Sequence, residues 1–141
     1  MAGAAATPFK STVTVKQLMN EVLEPAANVY WEAVGSVSDA RGTREIAPKT
    51  DSQWIAVRNA ATVVAESGNL MMLDGRARNT DEWMALSRAV IEVSMKARVA
   101  AEQHDTKGVF DMGAEMYQAC VNCHAIYYVG PKAIPLGTPP K

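Results

Sequence analysis

Residues 106–128 read TKGVFDMGAEMYQACVNCHAIYY. Phe110, Gly113, Tyr117, Cys120, His124 and Tyr127 recur in it at spacings of three and four, which predicts a helix with one special face. Gly130-Pro131 then stops it. Outward from this segment the same period returns. Asn79-Thr80-Asp81-Glu82 opens a helix carrying Trp83, Leu86, Val90, Val93, Ala97 and Ala100, which ends near His104-Asp105. Before it, Thr50-Asp51-Ser52-Gln53 is a capping box. The helix it opens carries Trp54, Val57, Ala61, Val64, Gly68 and Met71, and Asp74-Gly75 ends it. A first helix over residues 13–37 carries Met19, Val22, Leu23, Ala26, Tyr30, Ala33 and Val37. Pro25 lies inside it, so the sequence predicts either a kink over residues 20–24 or a break with Pro25 in the first turn of a new helix. Residues 35–49 read as a long connection punctuated by Gly35, Ser36, Ser38, Gly42 and Pro48. No alternating strand pattern stands out. Short loops join the second, third and fourth helices, so neighbours are expected antiparallel. The expectation is an all-α, antiparallel four-helix bundle over residues 13–129. An N-terminal extension (1–12) and a Pro/Gly-rich C-terminal tail (130–141) flank it.

Composition narrows the function. Of 141 residues, 48% are apolar and 21% charged, which suits one folded domain. A net charge of −1 offers no basic excess to hold a polyanion, so nucleic acid is not an expected partner. No apolar run approaches the roughly 18 residues of a membrane span. The Ala-rich start lacks the basic and apolar segments of an export signal. Ala4-Ala5-Ala6 reads either as the remnant of a cleaved signal or as a loose native start.

The chain has two cysteines, and both lie in the quoted segment. Cys120-Val121-Asn122-Cys123-His124 is a Cys-x-x-Cys-His motif, the pattern of c-type haem attachment. Helical spacing explains it, because residues three and four apart share a face. Cys120 and Cys123 can offer both thiols to the vinyl groups on one porphyrin edge. His124 can then turn its imidazole under the iron, and its Nδ1–H is expected to donate to a backbone carbonyl, fixing the tautomer. Three other readings compete. Zinc needs about four ligands, yet the only other histidine is His104, expected on the surface near a helix end. A thioredoxin-like pair should follow a strand and open a helix. A structural disulfide, like that pair, leaves the adjacent His124 unexplained.

A helical chain with this motif in its last helix resembles the class II c-type cytochromes, the cytochrome c′ family. The resemblance covers residues 13–128. Lys16-Gln17-Leu18-Met19, Pro25-Ala26-Ala27, Tyr30-Trp31, Glu66-Ser67-Gly68-Asn69-Leu70 and Gly75-Arg76-Ala77-Arg78 resemble a bacterial subgroup. The resemblance implies a left-handed bundle with one covalent haem near one end, and attachment in the periplasm after export. It also implies possible homodimers through the first two helices. Two departures stand out. No basic residue follows the motif until Lys132, and Val15 stands where methionine-ligated members often carry arginine. Lys16, Arg76 and Arg78 are the candidates to compensate the haem propionates.

The family divides at the distal face. An apolar residue there leaves the iron five-coordinate and open to nitric oxide or carbon monoxide. A methionine makes it six-coordinate, suited to electron transfer. By family position Met19 is the distal ligand, so iron ligation by His124 and Met19 is expected. Methionine also fills core gaps. Met71 and Met72 read as core or distal; Met84, Met95, Met112 and Met116 read as core or partly exposed. Tyr127 is a candidate to pack on the haem's proximal side, as is Tyr117, and both can equally be plain core. Trp31, Trp54 and Trp83 read as core or interface. The expected function is periplasmic electron transfer with transient redox partner proteins, not enzymatic catalysis. A peroxidase would need a distal acid or base, and Glu21 and Glu24, two and five residues from Met19, do not have the α-helical spacing to converge on the iron.

Overall fold

A computed structural model describes residues 9–129. The C-terminal tail with Lys132, and residues 1–8 of the N-terminal extension, lie outside the described residues. Helix α1 (residues 15–32) is three uninterrupted segments: Val15–Leu18, a π-helical turn Met19–Leu23, and Glu24–Glu32. A hairpin follows, β1 (Gly35–Asp39) and β2 (Gly42–Ile46), and then α2 (Asp51–Met71), α3 (Glu82–Glu102) and α4 (Thr106–Tyr127). The protein is mostly helical with one small antiparallel sheet. Among the described residues no helix is long and apolar enough to cross a membrane.

Caps set the helix starts. Thr14 and Thr50 both form capping boxes, with Gln17 and Gln53 returning the bond. Asp81 and Asp105 accept backbone N–H bonds at the starts of α3 and α4. Pro25 is accommodated by the π turn just before it, where the Glu24 N–H reaches the Met19 carbonyl, five residues back. Neither a break nor a separate second helix results.

The hairpin corrects the expectation of an irregular connection and of a purely helical chain. Gly35 pairs with Ile46 and Asp39 with Gly42, leaving Ala40-Arg41 as the turn. The Asp39 carboxylate accepts from the Arg41 N–H at 2.8 Å. Gly42 takes φ +114°, a conformation that favours glycine. Every residue of β2 is exposed, and in β1 only Gly35 and Val37 are half-buried. Alternation appears in a sequence when one face of a strand is buried; here it has almost nothing to mark.

The core runs between the helices. Trp83, Tyr30, Leu18, Met116 and Val64 are its largest fully buried side chains. The Trp83 indole N–H donates to the Met71 carbonyl at 2.8 Å, and the Tyr30 hydroxyl to the Ala97 carbonyl at 2.9 Å. Helices α2 and α3 pack most closely, and Gly68 is why. A Cβ there would stand 2.5 Å from Ile91 Cγ1 and 2.9 Å from the Ser87 carbonyl oxygen. Helix α3 also packs along α4, and α1 along α2, whereas α1 meets α4 only sparsely. One meeting point is Gly113, whose carbonyl accepts the Trp31 indole N–H at 2.9 Å.

This gap turns the face of α4 relative to the expected stripe. The buried residues of α4 are Val109, Gly113, Met116 and Tyr127. Phe110 and Tyr117 are exposed, at 61% and 59%. Neither is core.

Candidate functional site

Three cavities open between α1 and α4. The largest, about 470 Å³, lies beside Phe110 and Tyr117, away from the motif. The other two, of about 280 and 340 Å³, share Met19, Glu24, Cys123 and His124, so they adjoin as two parts of a cleft. Cys120, Leu23, Ala27, Trp31 and Val90 line its first part. Lys16, Trp83, Tyr127 and Tyr128 line its second. Each part is within or near the size of ligand pockets, about 300–1,000 Å³, and the walls are mainly apolar.

One wall is α4. Cys120 and Cys123 are both free thiols and both half-buried. Burial pushes the Cys123 thiol up to about 11, with the neighbouring Cys120 and Glu82 adding to the effect. Burial raises Cys120 as well. A redox-active pair requires a lowered thiol pKa, so these thiols are unlike such a pair. Among the described residues no three His, Cys, Asp or Glu side chains converge as a metal cage, which leaves zinc without its donor set. One imidazole stands beside the pair on the same helix. His124 supplies that imidazole, its ring exposed to the cleft and tilted against Tyr128 at 5.3 Å. The expected bond from its Nδ1–H to a backbone carbonyl is not made among the described residues. The ring borders both parts of the cleft.

The other wall is α1. Met19 is half-buried and opens the π turn. It lines both parts of the cleft together with His124, so the residue singled out by family position and the histidine of the motif share one space. Met71 is 2% exposed and also borders the first part, from the core side. Met72, Met84, Met95, Met112 and Met116 do not border the cleft.

Tyr127 is core, as one of its two readings had it, stacked edge-to-face on Trp83 at 4.8 Å, and it also borders the cleft. Its hydroxyl donates to Glu82 Oε1 at 2.8 Å and accepts from Asn79 Nδ2 at 2.7 Å. The last turn of α4 is thereby tied to the start of α3. Tyr117 borders the cleft from outside, edge-on to Trp31 at 5.7 Å. His104 lies far along the chain from this site, stacked on Trp54 at 4.9 Å.

The basic candidates separate. Lys16 borders the cleft. Arg76 is buried and donates to the carbonyls of Val13 and Leu70, at 3.2 and 2.9 Å, so its guanidinium fastens α1 to the end of α2. Arg78 is exposed and borders neither part. Glu24 is the residue that α-helical spacing misses. In an α-helix, positions five apart point about 140° away from each other. The π turn brings Glu24 round to the wall that Met19 occupies. Pro25 was the signal in the sequence that the turn would be irregular.

No family model matches the chain, and no curated protein or solved structure matches it.

Proposed function

We propose that this protein is a mono-haem c-type cytochrome of the cytochrome c′ class, a periplasmic electron carrier built as an antiparallel four-helix bundle. The observation that carries the reading is the cleft between α1 and α4, which Cys120, Cys123 and His124 line from one side and Met19 from the other.

The residues present fit a covalent haem. Cys120 and Cys123 would hold it by thioether bonds, and His124 and Met19 would ligate the iron. The haem supplies a one-electron ferrous–ferric couple, and Met/His ligation raises its potential. The chain's own contribution is to fix and shield. Leu23, Ala27, Trp31 and Val90 keep the cleft apolar, which strengthens each electrostatic interaction inside it. Tyr127 anchors the turn that carries His124 through its bonds to Glu82 and Asn79. Lys16, at the mouth of the cleft, is the cation placed to offset a propionate. Redox partners dock transiently where the cleft opens, and a homodimer through α1 and α2 remains compatible with this use of α4.

Met19→Ala tests the assignment. The wild type is expected to show the far-red methionine-to-ferric-iron band and no change when carbon monoxide meets the reduced protein. The variant is expected to lose the band and bind carbon monoxide promptly. A wild type that is high-spin and binds carbon monoxide would make this a gas-binding haem protein. A variant spectrum identical to wild type would remove Met19 as ligand.

A further inference from the structure

We infer that Glu24 sets the reduction potential of the site, holding it down by placing a carboxylate at the edge of the cleft, one turn from Met19. The inference rests on the haem reading above and adds a residue to it.

Three observations converge. First, Glu24 borders both parts of the cleft, and among the described residues that line it Glu24 is the one carboxylate. Second, its place there is built by the backbone. The Glu24 N–H bonds the Met19 carbonyl across the π turn, so the two residues lie about one turn apart on the same wall. π turns inside α-helices are frequent at functional sites. Third, the carboxylate makes no ion pair with a described residue. Among the described residues the one cation that shares this lining, Lys16, makes no ion pair with it.

The chemistry follows from charge alone. Going from ferrous to ferric adds one positive charge at the iron. A fixed negative charge in the same apolar cleft favours the ferric form and lowers the potential. This opposes the rise that methionine ligation brings. Glu21 provides an internal comparison, since it lies on the same π turn and is exposed like Glu24 but borders neither part of the cleft. Lys16 provides the opposite sign, because it borders the cleft as a cation.

The test is potentiometric titration of the haem-loaded wild type and of Glu24→Gln, Glu21→Gln and Lys16→Gln, at one pH and low salt. Glu24→Gln is expected to raise the ferrous-to-ferric ratio at a fixed poise by about threefold or more, an upward shift of about 28 mV at 59 mV per tenfold. Lys16→Gln should move it the other way, and Glu21→Gln by less than half as much as Glu24→Gln. The Glu24→Gln shift should shrink in high salt, because the carboxylate is partly solvated. The far-red methionine band must persist in Glu24→Gln, which shows that ligation is intact. An unchanged potential with that band intact overturns the role of Glu24 and leaves the haem reading standing. A shift equalled by Glu21→Gln overturns it too, since a diffuse surface charge effect would then suffice. A wild type that holds no haem overturns the underlying reading instead.

Discussion

The thiols of the motif give a sharp test in the chain free of the proposed haem. Cys123 is pushed from 9.0 up to about 11, first by burial, then by the charges of Cys120 and Glu82. Thiolate is the reactive form, and a rise of two units leaves about one hundredth of the usual thiolate at any pH below 9. Haem-free protein, produced where no attachment machinery acts, should therefore alkylate slowly at Cys123. With iodoacetamide at pH 7.5, peptide mass spectrometry should show about a 100-fold lower rate than in urea. The rate should climb with pH and level off only above about 11. Glu82→Gln should move that profile to lower pH, because it removes a charge that opposes the thiolate. The sign for stability is also fixed. Between 9.0 and about 11 the unfolded chain has lost the proton that the folded chain keeps, so this source of stability drains away as pH rises through that window. Haem-loaded protein, with both sulfurs in thioethers, should lack that loss. A haem-free chain that is helical by circular dichroism yet alkylates at the unfolded rate would refute the reasoning. So would an inflection at or below about 8.5, the value of an ordinary or an activated thiol.

Other consequences lie in the packing. Gly68→Ala gains about 1 kcal/mol of helix propensity but drives a Cβ against Ile91 and the backbone oxygen of Ser87. Overpacking costs about 1–3 kcal/mol, and a backbone oxygen cannot rotate away, so a net loss of about 1 kcal/mol is expected in urea titration; a stabilised variant would contradict the close α2–α3 approach. Tyr127→Phe removes the hydroxyl that joins Asn79 to Glu82. Two such bonds are worth about 1–3 kcal/mol together, and a loss below about 0.5 kcal/mol would show that the tie is idle. Trp31→Phe removes the indole bond to the Gly113 carbonyl. It should cost about 1 kcal/mol and loosen α1 from α4, read as faster hydrogen exchange in α1; unchanged exchange would count against that contact.

The helices were legible because their ends carry chemistry that acts locally. Thr50 with Gln53 marks α2 and Asp81 marks α3, and both caps form. The hairpin was not legible, since strands exposed on both faces have no apolar alternation to display. The α4 stripe was right at Gly113 and Tyr127 and one position off at Phe110 and Tyr117, whose neighbours Val109 and Met116 are the buried ones. Phe110 and Tyr117 looked like core by spacing, but the sparse meeting of α1 and α4 leaves them facing a gap, and no periodicity reports a gap between two helices. At the site, the motif named Cys120, Cys123 and His124 directly, and they do share a cleft with Met19. Glu24 escaped because its distance from Met19 was counted in α-helical turns, while the backbone there takes a π turn.

The most direct measurement is the intact mass and visible spectrum of the exported, mature protein. The account requires a coloured protein, heavier by the mass of one haem, with no thiol left to alkylate at Cys120 or Cys123. Colourless protein of unmodified mass, carrying two reactive thiols after passage through a haem-attaching periplasm, would contradict it.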